Sequence, residues 1–546
     1  MDRPVDLGRR LSGREGAGRA RALPGLTAIS AIVGATLALL YAWPISHVVS
    51  RSLHWRAFAE VFGNHRLRSV AWFTLWQALL STALVVAVAL PTAGILARYR
   101  VPGRRLLMAL VSVPFTLPTV VVGAAFLALA PFGRRQGVAP VIAAHVFFNV
   151  GLMIRALTNA WERIDPRFMD AARTLGAGRA RAWRAITLPL LGNSLAATSA
   201  LVFILCFTSF GVVVLLGGAG RSTLDVEIYR QALQLLRLDR AAAISVVQLV
   251  AIGGVLVLLS RRAASAPSGS TTALRRAVPN SFVGAAIIVG PVVVVSLTLV
   301  PLVTLFRRSI DVGDGRYGMA AYRGLLHVRQ GTGLIHSPIA SVVTSLRIAS
   351  LAAVLAFAMG LSFAVVVAAR ATSRAARRLE LLTTLPLGTS AVMLGLGFLL
   401  AFARSPVAWR SSWFAVPLVQ AVVCFPFVVR IVTPALRSID PALRSAAQTL
   451  GASPWRAWRW IDARLGAPAF ATAAATAFAV ALGEFGATTF LARPDGMTMP
   501  MAIVRLSAHP GSAVRAQGTA LAVLLGALTM LTVLLADRAA TAFTRS

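Results

Sequence analysis

The chain has 546 residues, 57% of them hydrophobic and only 13% charged, with a formal net charge of +36. A soluble globule would carry roughly twice that charged fraction. A nucleic-acid binder would gather its basic residues into one domain, whereas here they interrupt apolar runs along the whole length, so the composition points to the lipid bilayer and away from nucleic acid.

Residues 1–26 form an arginine-rich tail, and the apolar run behind it is too long for the core of a secretory signal, so it reads as an uncleaved first span. Apolar stretches able to cross a hydrocarbon core of about 30 Å, which takes about 20 helical residues, follow at 27–50, 70–97, 106–130, 138–160, 188–217 and 241–260. A second set lies at 281–306, 340–369, 379–403, 413–435, 467–492 and 516–537. Without water to satisfy backbone groups these must be helices, since barrel strands would alternate in polarity. The expected fold is an all-α polytopic membrane protein of twelve transmembrane helices. Its parts are a first six-helix domain at 27–260, a Ser- and Ala-rich cytoplasmic linker at 261–280 and a second six-helix domain at 281–546.

All 54 basic residues are arginine. Clusters at Arg98, Arg100, Arg104 and Arg105, at Arg261, Arg262, Arg275 and Arg276, and at Arg370, Arg374, Arg377 and Arg378 mark every second loop. The positive-inside rule makes those loops, and with them both termini, cytoplasmic. Cys206 and Cys424 fall inside expected spans, so neither a disulfide framework nor a zinc site is indicated.

The two domains are a direct repeat. Ile164-Asp165-Pro166 recurs as Ile439-Asp440-Pro441, Thr174-Leu175-Gly176-Ala177 as Thr449-Leu450-Gly451-Ala452, and Phe210-Gly211 as Phe485-Gly486, each 275 positions on. Nearer the start of the repeat the offset slips to 272, between Pro114 and Pro386. An even number of spans per unit gives the halves the same orientation, a parallel repeat about an axis normal to the bilayer.

Between the fourth and fifth spans stands Asp170-Ala171-Ala172-Arg173-Thr174-Leu175-Gly176, and nine residues after the glycine comes Ile186-Thr187-Leu188-Pro189. Two alanines keep a helix surface low enough for another protein to approach closely, and the glycine permits a turn at positive φ. Pro189 is expected at the start of the next helix, where a missing amide hydrogen costs little. The second copy, Ser445-Ala446-Ala447-Gln448-Thr449-Leu450-Gly451 with Ile461 at the same spacing, lacks the acid and has Ala463-Arg464 in place of Leu-Pro. The alternative, two ordinary basic loops, leaves the recurrence at equivalent positions unexplained.

This pattern resembles the signature loop of the permease subunits of binding-protein-dependent ABC importers. The resemblance implies that Asp170, Ala171, Ala172, Gly176, Ile186, Leu188 and Pro189, with Ser445, Ala446, Ala447, Gly451 and Ile461, form knobs seated in two copies of a separate ABC ATPase. It also implies an extracytoplasmic solute-binding protein and residence in the bacterial cytoplasmic membrane. A Walker A loop needs a lysine on the phosphates and this chain has none. No catalytic site and no cofactor are therefore expected here, ATP and Mg being bound by the partner.

Ala144-His145-Val146-Phe147-Phe148-Asn149, Leu205-Cys206-Phe207-Thr208-Ser209-Phe210 and Ile228-Tyr229-Arg230-Gln231-Ala232 resemble the thiamine permeases of the thiamine and iron(III) branch. That likeness implies import of thiamine or its phosphates; iron(III) is the alternative within the branch. Thr208, Ser209, Phe210, Glu484 and Phe485 are the candidate substrate path. Glu484 is expected well inside the eleventh span, where an ionisable group is a functional candidate by default, with a structural carboxyl as the other reading. His145 reads as a hydrogen-bonded core histidine, a lone histidine being a poor metal site. A proton-coupled secondary transporter shares the parallel architecture, but would need intramembrane carboxylates for proton relay.

Overall fold

The computed structural model describes residues 26–53, 55–130, 136–165, 167–218, 220–263, 281–313, 316–328, 331–369, 386–403 and 412–545. The expected tail, apart from Leu26, and all of the linker beyond Ala263 lie outside them.

Ten helices among the described residues are long and apolar enough to span a bilayer. In the first half these are Ala31–Ser52, His65–Arg98, Val138–Glu162, Ala180–Phe207 and Leu238–Leu258. In the second they are Val289–Ile310, Ala340–Ala369, Ala415–Arg437, Pro454–Gly483 and Ser512–Thr541. The other two expected spans differ. The segment expected at 106–130 is broken into Arg104–Thr116 and Thr119–Leu129, which meet at 100°. Its break falls at Leu117 and Pro118, where proline drives the preceding residue out of helical φ/ψ; Leu117 has ψ 145°. Of the segment expected at 379–403, the structure describes a short turn at Pro386–Gly388 and the apolar helix Ala391–Ala403. Among the described residues, the twelve expected spans thus correspond to ten continuous helices, one broken pair and one short apolar helix.

Two further expectations shift. The spans placed at 188–217 and 467–492 start earlier, inside the loops expected to be cytoplasmic, and stop at Phe207 and Gly483. Short helices Gly211–Leu216 and Thr488–Leu491 follow each stop. Hydropathy alone runs through both breaks because the residues on either side are equally apolar.

The halves are interlocked. Trp43–Ser52, from the first helix of the first half, packs on Ala391–Ala403 of the second, while Ser281–Ile310 packs on Thr119–Leu129 and His65–Arg98 of the first. Each exchanged helix also lies against the last helix of its own half, Leu238–Ala263 or Ser512–Arg545. Tyr41 and Thr389 share a hydrogen bond of 2.5 Å across this junction. At Gly397 the approach is close enough that a Cβ would sit 2.9 Å from the Pro44 carbonyl oxygen, so only glycine fits. Buried apolar side chains from both halves, Phe126, Leu216, Phe398 and Phe425 among them, merge into one continuous core.

Candidate functional site: two loop knobs and a broken seam

Each knob begins with an aspartate that caps a short helix. Asp165 accepts from the Arg167 amide at 2.9 Å, and Asp440 from the Ala442 amide at 2.8 Å. The helices Arg167–Thr174 and Pro441–Thr449 then end identically. Gly176 and Gly451 adopt φ +79° and +83°. The amide after each glycine, Ala177 or Ala452, donates to the carbonyl of Ala172 or Ala447 at 2.9 Å, and the glycine's own amide donates to Arg173 or Gln448 at 3.0 Å. This paired pattern is the Schellman cap, which requires a left-handed residue. No other atom lies within 4 Å of either would-be Cβ, so backbone conformation, not space, selects glycine. Leu175 and Leu450 stand at the tips, 87% and 88% exposed. Asp170, Ala171, Ser445 and Ala446 are exposed beside them, and Ala172, Ala447, Ile186, Leu188 and Ile461 are half-buried beneath.

Pro189 is the second residue of the α-helix Leu188–Phe207, which prolongs a helical segment already begun. The helix restarts at Ala180, and Pro189 follows a π-turn at Trp183–Thr187 in which the Leu188 amide reaches back five residues to the Trp183 carbonyl. The widened turn absorbs the bond that proline cannot make. The second half has the same π-turn, Trp458–Asp462, with Arg464 in the proline's place. The missing Leu-Pro therefore leaves the second knob's shape intact.

What ties each knob to its span differs. In the first half the Thr187 hydroxyl donates to the Met169 sulfur at 3.4 Å. The residues 275 positions on are Asp462 and Arg444, and there the guanidinium grips the carboxylate through Nε at 2.8 and 3.1 Å and also through Nη2, while Nη2 donates to the Leu436 carbonyl at 3.3 Å. The Asp462 side chain is only 6% exposed.

The candidate path residues gather at the two helix breaks. Phe210 and Phe485, repeat equivalents, stack across the seam between halves with ring centroids 4.9 Å apart and planes 19° from parallel. Tyr229 closes on Phe210 edge-on at 5.6 Å. Ser209, Phe210, Glu484 and Phe485 are buried and Thr208 half-buried, its hydroxyl spent on the Ile204 carbonyl at 2.8 Å. Glu484 is not inside a continuous span: it is the cap residue at the end of Ala463–Gly483. Its carboxylate accepts from the amides of Ala487 at 2.8 Å and Thr488 at 2.9 Å and from the Thr488 hydroxyl, onto which Gln420 also donates at 2.9 Å. The carboxylate thus terminates one helix and starts the next turn.

The buried acids Asp225 and Glu227 escaped the sequence reading. Both are fully buried, in the turn of helix Leu224–Tyr229. Asp225 accepts from Ser390 of the other half at 2.7 Å and from Gln248 at 3.1 Å. Glu227 accepts from Gln231 at 2.7 Å and Arg230 at 3.1 Å. Their signal was available: the chain has only 18 acids, and two of them sit one residue apart beside a string already singled out. His145 is buried against the Ser81 hydroxyl at 3.3 Å, and among the described residues no group of three His, Cys, Asp or Glu is placed to hold a metal ion.

The family model for the binding-protein-dependent transport system inner membrane component matches this chain twice, over residues 89–266 and 337–546. Both knobs and both breaks fall inside the matched segments. The chain is 27% identical over 509 residues to the thiamine transport system permease protein ThiP of Escherichia coli, covering 88% of this chain and 89% of that one. It is 29% identical over 503 residues to the protein of the same name from Brucella abortus, covering 86% and 87%. The sulfate transport system permease protein CysT of Salmonella typhimurium is 28% identical over 255 residues, 44% of this chain but 92% of its own.

Proposed function

The chain belongs to the family of binding-protein-dependent transport system inner membrane components and is a permease of the ABC importer type, and from that premise we propose that it imports thiamine or a thiamine phosphate. A separate ATPase drives it and an extracytoplasmic binding protein delivers the substrate. One observation carries the coupling part: the same capped knob, with an exposed leucine at its tip, occurs twice at equivalent points of the repeat. Two equal protrusions suit two copies of one ATPase. In this reading both termini, the 261–280 linker and the knobs are cytoplasmic, and residues 27–260 and 281–546 act as two membrane domains. ATP and Mg belong to the partner.

The substrate follows the seam past Thr208, Ser209, Phe210 and Phe485, and the stacked rings close it in this conformation. Thiamine is supported by relatives of that name over most of the chain and by rings at the seam suited to a flat cation. Iron(III) is the second reading. Against it, both Glu484 oxygens are engaged by their own turn, so the acid beside Phe485 is committed to the fold and not held open to a passing ion. The same engagement weighs against a proton relay.

Uptake of labelled thiamine and of ferric iron into vesicles carrying the complete complex decides between them. ATP-dependent thiamine uptake is the expected result. Iron uptake without thiamine uptake reverses the substrate assignment, and ATP turnover by this chain alone overturns the division of labour.

A further inference from the structure

The two junctions where an exchanged first helix meets the other half are repeat equivalents, yet they are filled differently. Pro44, Arg51 and Ser52 in one first helix answer to Pro301, Arg308 and Ser309 in the other, 257 positions on. Gly123, Phe126 and Leu127 of the third membrane segment answer to Gly395, Phe398 and Leu399, 272 positions on. One junction is plugged: Trp43 rests on Phe402 with ring centroids 6.3 Å apart, Phe402 on Phe398 at 5.2 Å, and Arg51 is held by Asp239 at 2.7 Å. At the other junction the counterparts of Trp43 and Phe402 are Val300 and Ala130, and those of Leu396 and Leu400 are Ala124 and Ala128.

A cavity of about 410 Å³ opens there, walled by Ala124, Leu127 and Ala128 from the first half and by polar side chains from the second. Those include Arg308, Arg515, Asp311 and the hydroxyls of Ser507, Ser512 and Thr519. Asp311 binds Arg308 through Nη1 at 3.3 Å, and Arg515 donates through Nη1 to the carbonyls of His509, at 3.2 Å, and Pro510. Two guanidiniums therefore face one carboxylate. The N-terminal turn of Ser512–Arg545 lines the same space and adds its positive end to them. Gln517, only 1% exposed, also lines it, and its Oε1 finds no partner, an unusual state for a buried acceptor.

We propose that this cavity is a binding site for a small phosphate-type anion that still carries a proton. The guanidiniums and hydroxyls meet its oxygens, and its remaining O–H donates to the Asp311 carboxylate, which lines the same space. Because one wall comes from each half, occupancy is sensitive to how the halves sit against one another, a coupling by differential binding. The site is separate from the Phe210–Phe485 seam.

The test is calorimetric titration of the purified chain in lipid-free detergent with inorganic phosphate and with sulfate, near pH 6, where the phosphate keeps a proton and the sulfate has none. Phosphate is expected to bind saturably and more tightly than sulfate, which has no proton to give. Arg308→Gln and Arg515→Gln should each weaken phosphate by roughly tenfold, as charge-assisted bonds do, and Asp311→Asn should narrow the preference over sulfate. Ala128→Leu, which restores the counterpart's residue, should abolish binding while thermal stability is retained. Absence of saturable phosphate binding, equal affinity for sulfate, or binding unaffected by both Arg515→Gln and Ala128→Leu overturns the proposal. Repeating the titration in discs containing phosphatidic acid, whose monoester phosphate keeps a proton near pH 6, and in discs of phosphatidylcholine alone separates the sources: competition by the former alone assigns a lipid headgroup, and none assigns a soluble phosphate. The measurement needs no transport, so its failure leaves the import reading standing.

Discussion

The first knob and the second have the same backbone but not the same anchor. Their caps agree to within a few degrees and their hydrogen bonds to within a tenth of an ångström, although the second has lost its acid and its proline. The first is tied down by a hydroxyl on a thioether, the second by a multiply bonded arginine and aspartate. A thioether acceptor is soft and weak, whereas a charge-assisted pair is stronger and directional. The first knob is thus free to shift against its span where the second must move with it. Shape is set by one glycine and its cap; rigidity is set elsewhere.

The largest expected effect breaks the shared feature. Gly176→Val or Gly451→Val forces a β-branched residue to positive φ, at a cost of about 1–3 kcal/mol, and reshapes the tip. On the proposed coupling, ATP-driven uptake and co-purification of the ATPase should both fall at least several-fold, with the first-half change the more damaging. Parental behaviour in both variants would show that the tips do not seat in the ATPase.

A middle-sized effect should separate the anchors. Asp462→Ala leaves Arg444 beside a buried gap, and since that arginine is about a third exposed, the loss is about 1–3 kcal/mol and not the full cost of an orphaned buried charge. Thr187→Val removes one weak bond and should cost less than about 1 kcal/mol. Stimulated ATPase activity should fall in the first variant and hold in the second. Equal responses would erase the distinction between stiff and soft anchors. Met169→Arg with Thr187→Asp, which transplants the stiff anchor, should raise thermal stability modestly and make the knobs alike.

These differences were partly legible. The caps could be read because a Schellman turn is local: an alanine-rich helix, a glycine and seven residues suffice. The anchors join positions 18 apart, and they appear only when the copies are laid over one another at 275 and Met169 with Thr187 is seen to change together to Arg444 with Asp462. The breaks at Thr208 and Glu484 were hidden, because a hydropathy window averages over a carboxylate whose charge is answered by two amides of its own turn. The exchange of first helices was invisible, since apolar patterning says that a helix is in the membrane but not which neighbour it faces.

The smallest expected effect probes an asymmetry with no second-half equivalent, because Pro500 stands where the repeat would place Asp225. Burial pushes the Asp225 carboxyl up to about 7, against the hydrogen bonds from Ser390 and Gln248 that lower it. The folded chain therefore holds this proton while the unfolded chain releases it in the ordinary carboxylate range. The contribution is full below about pH 4, declines as the pH rises and is lost by about pH 7. Asp225→Asn, which keeps an oxygen for both donors, should flatten that slope. Thermal melts in detergent should show a gain of a few degrees at about pH 8 and none near pH 4. A gain of the same size at both values would assign the effect to packing.

The interlocked first helices also set a clock for biogenesis. Tyr41 and its partner Thr389 are 348 residues apart, so at a synthesis rate of about 5–20 residues per second the nascent helix waits roughly 17 to 70 s for its neighbour to be made. During that interval the face that will pack on Ala391–Ala403 must be covered by lipid or by an insertion factor. A ribosome stalled before Ala391 would leave the first helix packed on Leu238–Ala263, with the face for Ala391–Ala403 still open. Such truncated chains should therefore be the natural substrates of membrane quality control, whereas in the finished molecule both exchanged helices are packed on the opposite half.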